Sequence, residues 1–384
     1  MSRLKVAARG RIDPFIVMEV VRAAEARAAA GGDVLHLEIG QPATAAPAGV
    51  RAAAAAALNR ETLGYTEALG LRALREKLAD HYRTTYGVIV SPDRIILTVG
   101  SSGGFQLGFL AAFEPGDRVA LASPGYPAYR NILKALGIEV VEILAGPESG
   151  YQPTIAQLEA AGPLAGLIVA SPANPTGTIL SAEALRALAV WCSANTVRMV
   201  SDEIYHGLTY GQRATSALEV TQDALVVNSF SKYFAMTGWR LGWLVMPEDL
   251  VRPIECLAQN MVISAPTLSQ HAALAAFGCI DELEANRLAY ARNRDILLNE
   301  LPSAGFRDFA PPDGAFYLYA RVDHLTDDSE VFCRRILAET GVAITPGIDF
   351  DPQRGRGFVR FSFAGAESTM LEAARRLRIW RQTL

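Results

Sequence analysis

Between residues 94 and 228 the chain repeats one pattern five times: a short apolar run rich in β-branched residues, then a longer stretch with helical spacing. The runs are Arg94–Val99, Arg118–Ala122, Gly166–Ala170, Val197–Val200 and Ala224–Val227. Such runs, separated by helix-length segments, predict strands of a mostly parallel sheet covered by helices. Ligands of open α/β sheets bind beyond the carboxyl ends of the strands. In order, the five runs lead to Gly100-Ser-Ser-Gly-Gly104, Pro124-Gly-Tyr126, Asn174-Pro175, Asp202, and Ser229 with Lys232. Topology alone therefore brings five separated sets of polar residues to one rim.

Lys232 is the most unusual of them. It closes the apolar stretch Leu225–Phe230, lies between Ser231 and two aromatics, and is followed eight residues later by Arg240. An amine shielded from water gives up its proton more easily and can condense with a carbonyl. Ser229, Ser231 and Arg240 add the donors that a phosphate monoester requires. Together they point to a lysine that holds pyridoxal phosphate as an imine. The glycine and serine run at 100–104 precedes the apolar stretch Phe105–Phe113, so it reads as a helix start whose free N–H groups face an anion, or simply as a cap. Asp202 after its strand reads as a helix cap or as the carboxylate that keeps the cofactor ring nitrogen protonated. Tyr126 reads as core filler or as a ring stacked on the cofactor.

The string Ser229-Phe-Ser-Lys-Tyr-Phe-Ala-Met-Thr-Gly-Trp-Arg-Leu-Gly242 resembles the lysine motif of the class I/II aminotransferases, which depend on pyridoxal phosphate. Ser171-Pro-Ala-Asn-Pro-Thr-Gly177, Asp202-Glu-Ile-Tyr205 and Arg360-Phe-Ser-Phe-Ala364 stand in the order of that family, from about residue 36 to the end. The resemblance implies the fold type I transferase architecture: an α/β large domain with a mostly parallel sheet covered by helices, residues 45–285, and a smaller α/β domain from 1–44 and 286–384. It implies a Schiff base on Lys232, Asp202 at the ring nitrogen, and Asn174 and Tyr205 at the phenolic oxygen. Phosphate contacts fall to Ser101, Ser102, Gly103, Ser229, Ser231 and Arg240, and Tyr126 stacks on the ring. Arg360, with Asn174 and the Gly40 backbone, binds the α-carboxylate of the amino acid. Taken by itself, Arg360 in an apolar strand reads equally as an edge-strand arginine or a structural ion pair. Tyr65 reaches the cofactor phosphate of a neighbouring subunit, which implies a homodimer with shared sites.

The activity so implied is ping-pong transfer of an amino group to a 2-oxo acid, with Lys232, Asp202 and Tyr205 as catalytic residues. Carbon–sulfur lyases and related synthases share these motifs and form the alternative. A regulator that only senses the cofactor is a remote one, because about forty residues precede the resemblance and no DNA-binding module fits there.

At 384 residues, half of them hydrophobic and with a formal net charge of −4, the chain has the profile of a soluble globular enzyme of two domains. It carries no basic surplus for nucleic acid, no run of transmembrane length and no signal peptide at its start. Cys192, Cys256, Cys279 and Cys333 lack metal-ligand spacing and predict reduced, mostly buried thiols of a cytoplasmic protein. Helical patterning extends from Ser264–Ser269 to about Leu301, and the alanine-rich stretch from Arg51 predicts a close-packed helix. Two departures from the family lie near the substrate: Ala43-Thr44-Ala45 after Gly40-Gln-Pro42, and Asp351 after Phe350. Ser102 stands where some aspartate-handling relatives carry a lysine, and Ile12–Met18 is mainly apolar. A second carboxylate buried without a partner costs several kcal/mol, so neutral, hydrophobic amino acids are the expected substrates over aspartate.

Overall fold

The structure, a computed structural model, describes residues 4–383. The chain opens with α1 (Ile16–Ala29), the short strand β1 (Leu35–His36), α2 (Ala48–Arg60) and α3 (Arg72–Tyr86). The alanine-rich α2 buries Val50, Ala54 and Ala57 on one side. Leu74, Leu78 and Tyr82 recur at helical spacing on α3 and are fully buried, and the helix stops at Gly87 in the left-handed region.

Alternating strands and helices follow: β2 (Ile95–Val99), α4 (Gly100–Ala112), β3 (Arg118–Ser123), α5 (Pro127–Leu136), β4 (Glu139–Leu144), α6 (Ile155–Ala160), β5 (Gly166–Ala170), α7 (Ala182–Ala194) and β6 (Arg198–Asp202). Then come β7 (Leu225–Ser229), β8 (Leu241–Val245), α8 (Glu248–Met261), α9 (Thr267–Ala273) and α10 (Ile280–Glu300). Strands β2 to β8 form one seven-stranded sheet in the order β2-β8-β7-β6-β5-β3-β4. Only β8 pairs antiparallel with its neighbours. Side-chain alternation sorts the sheet into two faces. Ile95, Leu97, Leu167, Val169, Met199, Val226 and Trp243 pack with residues of α2, α3, α7 and α9. Ile96, Ile168, Val200, Leu225, Val227 and Leu244 pack with α4, α5 and α8. Burial on both faces is why these runs are continuously apolar.

The end of the chain builds β9 (Tyr317–Arg321), α11 (Ser329–Thr340), β10 (Val342–Ala343), β11 (Thr345–Pro346), β12 (Phe358–Ser362) and α12 (Glu367–Arg381). A three-stranded antiparallel sheet runs β11-β12-β9, and β10 pairs in parallel with β1. Its core joins Leu37 to residues of α10, β9, α11, β12 and α12.

The long helical stretch expected over 264–301 is not continuous. It breaks between Ala273 and Ile280, where a short 3-10 turn at Ala276–Gly278 intervenes. Gly278 is a poor helix former, and the break lets Phe277 turn into the aromatic group of Phe230 and Phe234 below the lysine loop. Among the described residues no helix is long and apolar enough to cross a membrane. All four cysteines are free; Cys192 and Cys333 are buried, Cys256 and Cys279 half-buried.

Candidate active site

Beyond the carboxyl ends of β2, β3, β5, β6 and β7 lies a cavity of about 500 Å³, the size of a small-molecule site. Ser101 and Ser102 enter it from the start of α4, Tyr126 from the turn after β3, Asn174 from the turn after β5, and Asp202 and Tyr205 from the end of β6. Ser231, Lys232 and Arg240 come from the loop after β7, Gly40 from the segment after β1, and Arg360 from β12. Three residues singled out in the sequence do not line it. Gly103 lies further into α4; Tyr65 is 82% exposed on the surface. Ser229 is buried behind the loop, where its hydroxyl contacts the Leu241 carbonyl at 3.0 Å and Ser231 Oγ at 2.8 Å. Its side chain braces Ser231, the neighbour that does face the cavity.

One end of the cavity is built of donors. Gly100 has φ +65°, and a Cβ there would lie 2.5 Å from Arg240 Nη2, so only glycine lets the guanidinium come this close to the start of α4. Arg240 is fixed by Nη1 donating to the Thr237 carbonyl at 3.0 Å, and Thr237 donates in turn to the Ser231 carbonyl at 2.8 Å. Free N–H groups of the helix start, two serines, Ser231 and Arg240 surround this end; among the described residues Asp202 is the one acidic residue lining the cavity. That is the chemistry of an anion site.

Asp202 is buried, accepts the Ile204 N–H at 3.0 Å and accepts the phenol of Tyr129. Burial pushes its carboxyl up to about 6, against the pull of those two donors and of Lys232. A cationic ring nitrogen placed here would relieve that burial. The amine of Lys232 donates to the Gly40 carbonyl at 2.5 Å and lies 5.8 Å from the ring centres of Tyr205 and Phe316. Burial, with Arg360 and Arg240 nearby, brings it down to about 8, and Asp202 opposes the shift. Near neutral pH part of the population therefore carries a free amine.

Arg360 is 2% exposed and sandwiched between the rings of Tyr317 and Phe350, 4.3 and 4.7 Å from their centres. Nη1 donates to Asn174 Oδ1 at 2.9 Å and Nη2 to the Glu38 carbonyl, while Nε is buried without a partner. A buried donor left unpaired costs about 1–3 kcal/mol, so this guanidinium is arranged for an acceptor. The two structural readings of Arg360 do not hold. β12 is the middle strand of its sheet, and among the described residues no carboxylate pairs with this arginine.

Tyr317 and Tyr129 also line the cavity and were not singled out in the sequence. The Tyr205 and Tyr317 hydroxyls are 2.7 Å apart, although 112 residues separate them, and a side chain on Gly40 would overlap the Tyr317 hydroxyl. Their only sequence signal is strand alternation along β9 for Tyr317 and helical spacing after Tyr126 for Tyr129. Burial drives the Tyr205 phenol well above its ordinary range, so it stays protonated and able to donate.

Residues 32–377 match the profile of the family described as aminotransferase class I and II. The chain belongs to that family. It is 54% identical, over 98% of both chains, to the valine–pyruvate aminotransferase of Mycobacterium tuberculosis. It is 34% identical to an aspartate/prephenate aminotransferase of Thermus thermophilus over 90% of each. Among solved structures, an aminotransferase from M. tuberculosis superposes with a TM-score of 0.97 at 52% identity, covering 99% of this chain and 100% of that one. The T. thermophilus aspartate aminotransferase with maleate gives 0.93 at 33% identity, over 98% and 99%. The protein is thus a pyridoxal-phosphate-dependent aminotransferase of fold type I, moving the amino group of an amino acid to a 2-oxo acid. Its cavity fits the cofactor: donors alone at one end, a buried carboxylate, and a shielded amine in the same space.

Proposed function

We propose that this aminotransferase takes neutral, aliphatic amino acids such as valine, with the residues of the cavity in the following roles. The carrying observation is the cavity wall. Phe15, Val17, Met18 and Ile39 form an apolar side, and among the described residues the lining cations are Lys232, Arg240 and Arg360, each with its own task. Leaving water gains roughly 1.5–3 kcal/mol for an aliphatic side chain, whereas a distal carboxylate would meet no free partner. The name of the M. tuberculosis relative supports the same class.

Arg360 grips the α-carboxylate, its unpaired Nε turned to use, with Asn174 and the Gly40 backbone beside it. Ser101, Ser102, Ser231, Arg240 and the α4 start hold the phosphate; Gly103 and Ser229 act through the backbone and through Ser231. Pyridoxal phosphate, when bound, supplies an aldehyde for the amine and a ring that takes up the electron pair left at the substrate Cα. Asp202 keeps the proton on the ring nitrogen, and Tyr129 holds the carboxylate in place. Asn174 and Tyr205 donate to the phenolic oxygen, and Tyr126 covers the ring face. Lys232, released as a free amine, removes the proton from the substrate Cα and delivers it to the cofactor C4′. Its shift to about 8 favours that neutral base. Apolar walls exclude water while the proton moves.

Tyr65, exposed on the surface of one chain, serves the phosphate of a partner subunit, so the working unit is a homodimer. The division into a large part, 45–285, and a small part from both ends is supported by the separate core that joins Leu37 to α10, β9, α11, β12 and α12, and by β1 pairing with β10. Four free thiols support a cytoplasmic enzyme.

The test is a donor comparison with pyruvate as acceptor. kcat/KM for valine or leucine is expected to exceed that for aspartate by a factor of about a hundred or more, the scale of one unpaired buried charge. An aspartate value above those of valine, leucine, phenylalanine and alanine contradicts the substrate class.

A further inference from the structure

Three of the four residues of the apolar wall, Phe15, Val17 and Met18, stand at the start of a helix that cannot cap itself. α1 begins after Phe15, whose side chain offers no acceptor to the first free N–H groups. The acceptor comes instead from the far end of the chain. The carboxylate of Asp349 receives the Ile16 N–H at 3.1 Å and the Val17 N–H at 3.0 Å, one on each oxygen, across more than three hundred residues. Asp349 is 2% exposed, so these bonds lie away from competing water.

Its own position is fixed from several sides. The Asp349 carbonyl accepts from Arg130 Nη2 at 3.0 Å, and the Phe350 carbonyl accepts from the Gly125 N–H at 3.0 Å, directly before Tyr126. Phe350 lies against Arg360. Asp351, which departs from the family pattern, accepts the Gln353 and Arg354 N–H groups and the Arg354 side chain. Arg354 then donates to the Ser123 and Ala145 carbonyls at 2.6 and 2.9 Å, at the ends of β3 and β4. The turn is thereby fastened to the sheet that carries Tyr126 and to the arginine that takes the carboxylate. From that anchor the Asp349 carboxylate accepts both of its hydrogen bonds from the start of α1, with the charges of Arg360 and Arg130 also acting on it. Phe15, Val17 and Met18, the residues at and beside the two capped amides, line the cavity, and the Phe15 ring stands edge-on to Tyr126 at 5.7 Å.

We propose that Asp349 is a specificity-positioning residue of this aminotransferase: by capping α1 it sets the distance between the wall of Phe15, Val17 and Met18 and the substrate side chain. The inference rests on the reading that the side chain faces this wall. Asp349 touches neither substrate nor cofactor. Its loss lets the wall drift while Lys232, Asp202 and Arg360 keep their places. Donors with a branched side chain then lose contact, and alanine, which reaches the wall least, loses little.

The experiment uses Asp349→Ala and Asp349→Asn holoenzymes, with the first half-reaction followed by cofactor absorbance for valine, leucine and alanine. The valine-to-alanine ratio of kcat/KM is expected to fall about tenfold in Asp349→Ala, the scale of one apolar contact group. Asp349→Asn, which keeps one acceptor oxygen, falls less. Hydrogen exchange at the start of α1 rises in the same order, and cofactor absorbance stays that of the parent enzyme. An unchanged ratio overturns the proposal, whether or not exchange at α1 rises, and so does an equal loss for all donors. The wild-type comparison of valine with aspartate fails or succeeds separately, so a wrong substrate class is recognised before any variant is read.

Discussion

Lys232→Ala is expected to slow single-turnover amino transfer from valine by roughly four orders of magnitude or more, the upper range for a positioned acid–base group. Nothing else lining the cavity can replace the amine. Arg240 is held by the Thr237 carbonyl and Arg360 by Asn174 and the Glu38 carbonyl, Tyr205 is held protonated by burial, and Asp202 is engaged by Tyr129 and the Ile204 N–H. The donors of the anion end are untouched, so the variant should still take up cofactor. Stopped-flow absorbance with saturating valine measures the rate; turnover within tenfold of wild type would remove Lys232 from proton transfer.

Asp202→Asn carries the second large effect, a loss of about two to four orders of magnitude in the same half-reaction, comparable to removing a group that stabilises developing charge. A neutral amide cannot keep a proton on the ring nitrogen, and without that charge the ring accepts electrons poorly. Structure should survive the change. The amide oxygen can still accept the Ile204 N–H, and its NH2 can donate to Tyr129, whose hydroxyl rotates to suit. Retained thermal stability with an unchanged half-reaction rate would refute the role of the carboxylate.

The parts of this site readable in the sequence are those written locally. Each of the five apolar runs is a strand of the large sheet, within a few residues of the expected bounds, and the polar residues after them reach one cavity because parallel strands share a direction. Lys232 and Arg240 stand out because a charged residue beside buried neighbours has few structural explanations. Two strands escaped. β4 is an edge strand bounded by Glu139 and partly exposed, so its pattern is weak, and β8 is hidden inside the lysine motif whose end it forms. The break before α10 depends on where Phe277 packs, which no local propensity reports.

What the sequence could not show are pairings made by register and tertiary packing. Tyr317 meets Tyr205, Asp349 meets Val17, and Tyr129 meets Asp202, over separations of 112, 332 and 73 residues. Each is an ordinary residue in its own segment. The departure at Asp351 is also legible only in space, as the acceptor that holds Arg354 against the ends of β3 and β4. The fate of Ser229 is instructive in the other direction: its position in the lysine motif suggested a phosphate contact, but it ends β7 with its hydroxyl bonded to the Leu241 carbonyl and Ser231 Oγ, and Ser231, in the loop beyond the strand, faces the cavity.

The chain contains four lysines, Lys5, Lys77, Lys134 and Lys232, which makes the central claim open to one direct measurement. Holoenzyme is reduced with borohydride, digested, and the peptides are read by mass spectrometry for the cofactor fixed to a lysine side chain. The account predicts stoichiometric labelling of Lys232 with the other three unmodified, and loss of the label when valine is added before the reductant. Labelling of Lys77 or Lys134 in its place, or a Lys232 peptide that stays unmodified in fully active enzyme, would contradict it.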